Sequence, residues 1–178
     1  MNLDRKSKRN LEISKLLFDT YNAGIDFTKS GSVSCKFSDQ ERKNHKLENA
    51  GEKDDLAFDV FYDFSMETCL AVDQTKNIDL KSLDRIRASY IKSYFEKKSN
   101  KTYPNILFDY QDKLIKAGHF EAYNYWIFMK GEESVYTKWQ AINKDKDSAF
   151  KKWFEENPLK LDEKNRFYRL QYSKEKPK

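Results

Sequence analysis

Asp55, Asp59, Asp63 and Glu67 recur at intervals of four residues. On a helix this spacing confines all four carboxylates to about one-third of the circumference. Such a line can hold a hard cation or meet a basic partner. Metal centres in helical bundles also draw histidines and further carboxylates from facing helices, typically as Glu-x-x-His, and no such pattern is present here. Like charges at i,i+4 cost a few tenths of a kcal/mol per pair unless compensated. The expectation is therefore pairing with Lys81, Arg85 and Lys92 of the following helix, with metal and partner binding as weaker readings.

Arg85, Arg87, Lys92, Lys97, Lys98 and Lys101 form the opposite row, with Tyr90 and Tyr94 between them. Lysines tracking phosphates beside rings that stack on bases suit a nucleic acid. The same tyrosines continue the apolar stripe of Leu83 and Ile86, so the core is their expected place. Net charge is +5, from 34 basic against 29 acidic side chains. The two signs are mixed along the chain, whereas nucleic-acid binders usually concentrate the basic ones on one face.

Nucleophiles and metal ligands are few: Cys35, Cys69, His45 and His119. A zinc site needs three or four ligands, and these four stand at no recognisable spacing. Cys35 with His45 formally makes a nucleophile–base pair, but both fall in a polar stretch where fixed geometry is not expected. Cys69, in an apolar helical stretch, reads as a buried free thiol. His119 follows a helix-stopping glycine and is expected to hydrogen-bond locally. Phosphate-binding glycine loops, GxSxG and HExxH are all missing. No catalytic residue, metal ligand or cofactor is assigned.

The elements that would position these groups are helical. Five glycines and three prolines in 178 residues cannot supply the turns of a sandwich or barrel. Asn10 is placed as the cap of a helix with Ile13, Leu16, Leu17, Tyr21 and Ile25 on its inner face. Residues 28–53 read as a polar insertion, in which Val33, Cys35 and Phe37 alternate as a short edge strand or an extended loop, and Ser38 with Glu41 has capping-box spacing. Residues 54–73 form the strongest helix, apolar over a wide arc and hence central. Asp79 caps the next, Pro104 opens another as its first residue, and Gly118 stops it. Helices over 119–129, 132–143 and 147–157 follow, and 144–146 is either a junction or continuous helix. Tyr168, Leu170 and Tyr172 alternate in the tail, and residues 173–178 form a frayed basic end. The fold class is all-α, a single domain over 1–178 of about six helices packed as antiparallel hairpins. With no apolar run of about 20 residues and no signal-peptide core, the expected location is soluble and cytoplasmic.

Between Gly118 and Pro158, ten aromatic residues occupy about forty positions. Trp126, Trp139 and Trp153 stand near whole helical turns from one another, which usually places rings in a core; an aromatic groove for a partner is the alternative. The segment LIKAGHFEAYNYW, Leu114 to Trp126, resembles the turn of a tetratricopeptide repeat, with Gly118 ending one helix, Phe120 following and Ala122 opening the next. That resemblance implies a stack of helical hairpins with a concave surface for protein ligands, and it transfers no catalytic residue. The functional expectation is a non-catalytic protein–protein interaction module whose groove is lined by Tyr123, Tyr125, Trp126 and Trp139. A basic nucleic-acid-associated protein acting through 85–101 is the alternative, and a small enzyme on a helical scaffold the third.

Overall fold

The structure, a computed structural model, describes residues 1–28, 31–38, 57–162 and 165. Among them are seven α-helices: α1 Asn10–Gly24, α2 Phe58–Asp73, α3 Leu80–Glu96, α4 Ile106–Lys116, α5 Phe120–Ile127, α6 Glu133–Ile142 and α7 Lys144–Glu156. The described residues are all-α apart from one antiparallel ribbon, in which β1 Ile25–Phe27 pairs with β2 Val33–Cys35 in the register Ile25 to Cys35. Asp55, His45, Glu41, the other residues of 39–56 and the tail 166–178 lie outside the described residues.

The ribbon corrects two expectations. Ile25 is in a strand and not on the last turn of α1, because the ring of Phe37 occupies the space above Gly24, and the Gly24 carbonyl accepts from the Lys36 N–H at 2.7 Å. The alternation of Val33 and Cys35 resolves as a strand. Its Cys35 is fully buried, although its surroundings read as polar. On α1, Leu16 is exposed where a core position was expected, while Phe18 is buried with its ring against the bare backbone of Gly131.

Side chains set the helix ends. Asp79 caps α3 as expected, accepting from the Ser82 N–H at 2.6 Å while Ser82 Oγ accepts from the Asp79 N–H at 2.9 Å. Pro104 is not the first helical residue. Asn105 Oδ1 accepts from Leu107 N–H at 3.0 Å, making it the cap of α4 and leaving the proline one position outside. Asn10 likewise lies inside α1, and its amide donates to the Arg5 carbonyl at 2.9 Å instead of capping. Gly118 ends α4 at φ 74°, the left-handed conformation that lets the His119 N–H reach the Leu114 carbonyl at 2.9 Å. Asn143 alone separates α6 from α7.

The buried side chains form one cluster. Its hub is α3, which packs against α2, α4 and α5. The sequence pointed to α2 as the central helix, but Phe64, Thr68 and Val72 on its outer face are exposed. From α3 the rings continue through α5 to α7, where Tyr123, Phe150 and Phe154 meet. Arg5 closes this end: its guanidinium lies 3.7 Å from the centre of the Phe154 ring and donates to the carbonyls of Phe154 and Asn157. Those carbonyls belong to the end of α7, where a cation is favoured.

Candidate functional site

Among the described residues, the acidic row does not meet the basic row. Asp63, fully buried on α2, accepts from the Ser38 N–H at 3.0 Å and the Ser38 hydroxyl at 2.5 Å. Glu67 accepts from the Cys35 N–H at 2.7 Å. Both carboxylates thus serve the main chain of β2 and the residues after it. An edge strand has outward N–H groups that need acceptors, and this need explains the orientation. Asp59 turns to the Val60 N–H at 3.0 Å. Among the described residues no group of three potential metal ligands is assembled.

The basic row is also dispersed. Arg85 forms a two-pronged pair with Asp73 at 2.8 and 3.0 Å, which holds the Asp73 carboxyl below its usual range. Lys92 lies 3.9 Å from Glu96. Tyr90 and Tyr94 are buried, as their stripe predicts. Lys97, Lys98 and Lys101 are exposed, whereas Arg87 is buried at 7% exposure.

Of the four rings expected to line a groove, Tyr123, Tyr125 and Trp139 are buried and Trp126 is half-buried. Tyr125 stacks on Trp139 with ring centres 4.7 Å apart, fastening α5 to α6. The Trp139 indole donates to Glu121 Oε1 at 3.0 Å, and Lys146 donates to the other oxygen at 2.8 Å. Trp126 packs on Phe154, and Tyr123 on Phe150. These rings are covered by the chain's own helices, because α5 is too short to bury so much ring surface without both α6 and α7. Cys35 and Cys69 are buried, and burial raises the Cys69 pKa. His119 lies against the Trp153 ring at 5.5 Å rather than hydrogen-bonding as a cap, and burial lowers its pKa.

Arg87 marks the more informative site. It borders a half-open cavity of about 370 Å³ between α1, α2, α3, α4 and α5, with Met1 and Asn2 at its rim. The walls are mostly rings and aliphatic side chains, among them Tyr21, Phe58, Tyr62, Phe108 and Leu107. The Tyr21 and Tyr62 hydroxyls lie 3.0 Å apart. Burial raises the Tyr62 pKa well above its usual value, so this phenol keeps its proton. Asn2 donates to the Tyr123 hydroxyl at 3.0 Å. Gln111, 3% exposed, presents an amide that no group among the described residues engages.

A second hollow, of about 520 Å³ beside the ribbon, is lined largely by exposed side chains such as Thr28, Gln74 and Lys76.

No family model, curated protein or solved structure matches this chain.

The reading of the cavity therefore rests on its own chemistry. A guanidinium has five N–H donors. Among the described residues Arg87 makes one hydrogen bond, to the neutral Oδ1 of Asn124. Asn124 in turn donates to Asp84 at 2.7 Å, so this carboxylate reaches Arg87 through an amide. Burial raises the Asp84 pKa, an effect that Asn124 opposes. Phe128, Phe120 and Tyr123 surround the guanidinium at 5.1–5.8 Å from their ring centres. Each such contact contributes about 0.5–2 kcal/mol, against a burial penalty of several kcal/mol per ion. The buried cation is thus offset by three rings, one amide and the attraction of Asp84 at one remove, with no carboxylate among the described residues bonded to it directly.

Sequence reasoning assigned Arg87 to the solvated basic row. The signal that it belongs inside was available: Arg87 is four residues after Leu83 and four before Ile91, on the stripe that also carries Tyr90 and Tyr94.

Proposed function

We propose that this chain is a non-catalytic helical binding module that holds a small ligand between its helices. The observation that supports the reading is the cavity of about 370 Å³ with a few polar groups set in aromatic walls, the usual make-up of a small-molecule site. Its hydroxyls and amides are suited to orienting a guest. A proton-transfer role would need a titratable acid and base within reach of one another, and the polar side chains placed there are tyrosines, amides and one arginine.

The test uses a neutral apolar probe, 4-phenylbutan-1-ol, titrated into the labelled protein and followed by nuclear magnetic resonance. Saturable shifts confined to Leu107, Ile127, Met66 and their neighbours are expected. Shifts spread evenly over the surface, or none, would reject the reading.

A protein partner is the second reading. It is favoured by apolar side chains exposed outside the aromatic seam, namely Leu11 and Leu16 on α1, Val72 on α2 and Ile142 at the end of α6. A complex that persists in high salt and is lost on Leu16→Glu would support it. The nucleic-acid reading is weakened by the same geometry, because Arg85 and Lys92 have acidic neighbours and Arg87 is buried. Affinity that falls steeply with salt would restore it.

A further inference from the structure

We infer that the ligand of this cavity is an amphipathic monocarboxylate, its anionic head held by Arg87 and its apolar body lying among the rings of α2 and α4. The inference rests on the cavity reading above and adds the chemical class of the guest.

Three observations converge on the head group. Arg87 is 7% exposed and borders the cavity, so its charge lies beside a largely apolar space. Among the described residues, no carboxylate lies within ion-pair distance of it, and its hydrogen bond goes to the neutral amide of Asn124. The Gln111 amide and the hydroxyls of Tyr21 and Tyr62 line the same space. A guanidinium offers parallel N–H groups in a plane, and a carboxylate accepts two of them at once. Binding one completes the pairing that Asp84, one amide removed, leaves unfinished.

A single cationic side chain at the cavity favours a single negative charge. A phosphate monoester would bring nearly two charges to one guanidinium among rings, and the excess would remain buried without a partner. The body of the guest is apolar because Phe58, Phe108, Leu107 and Ile127 offer it no hydrogen bond.

The experiment compares 4-phenylbutyrate with 4-phenylbutan-1-ol on the full chain by calorimetric titration, alongside Arg87→Met and Arg87→Lys. The native chain is expected to bind the carboxylate at least tenfold more tightly than the alcohol. Arg87→Met is expected to reverse that preference and leave alcohol affinity within about threefold, and Arg87→Lys to retain part of it. The Arg87 side-chain Nε–H resonance of the native chain is expected to move with the acid and not with the alcohol. This measurement decides the matter even if a variant does not fold. Equal affinity for the two probes, or an Arg87 resonance indifferent to the acid, overturns the head-group assignment and leaves the cavity reading in place. Binding of neither probe overturns both.

Discussion

Replacing Asp63 discriminates between two accounts of the acidic row. If its carboxylates balanced the basic helix, Asp63→Ala would cost at most about 1 kcal/mol and the loss would depend on Arg85. In the structure Asp63 instead accepts two hydrogen bonds from Ser38, and both residues are buried. Hydrogen bonds to a charged group contribute about 1.5–3 kcal/mol each, and an orphaned buried donor costs about 1–3 kcal/mol. The two bonds share one acceptor oxygen and are not additive, so Asp63→Ala is expected to destabilise by about 3–4 kcal/mol. For a chain of this length, that corresponds to a fall in Tm of roughly 6–16 °C. Asp63→Asn, which keeps one acceptor oxygen, should lose about half as much. Urea unfolding is the assay, read as a change in midpoint at constant slope. A double-mutant cycle of Asp63→Ala with Ser38→Ala should give a coupling of about 1–2 kcal/mol, and one with Arg85→Ala a coupling near zero. A loss below about 0.5 kcal/mol for Asp63→Ala, or coupling to Arg85 in place of Ser38, would refute the assignment.

Three further outcomes follow from the geometry. Trp139→Ala removes a buried ring stacked on Tyr125 and the indole bond to Glu121, and should cost about 3–5 kcal/mol in urea unfolding. Gly131→Ala places a methyl group where the Phe18 ring lies, and should lower stability by about 1–3 kcal/mol, a loss that Phe18→Leu in the same chain reduces. Arg85→Ala should cost about 0.5–1 kcal/mol at neutral pH, because the pair with Asp73 is partly exposed and screened. Arg85 holds Asp73 below its ordinary value of 3.8. The pair's contribution is therefore complete above that value and disappears as pH falls through the lower folded one. Acid titrations of the two proteins should converge there.

Helix content, the capping of α3 by Asp79, the stop at Gly118 and the burial of Tyr90, Tyr94 and Cys69 are all legible in the amino-acid order. Each depends on neighbours within a few residues, where spacing, side-chain chemistry and backbone freedom act directly. The partner of a side chain across the fold is not local in this sense. Nothing near Asp63 in sequence announces that Ser38 needs its oxygen, because that need arises only once β2 lies against α2. Tyr123, Tyr125, Trp126 and Trp139 leave both core and groove open as readings until α6 and α7 cover them. Arg87 lies on a stripe that marks it as inward-facing. Only the meeting of five helices places a cavity beside it, because a void is bounded by segments far apart in the chain.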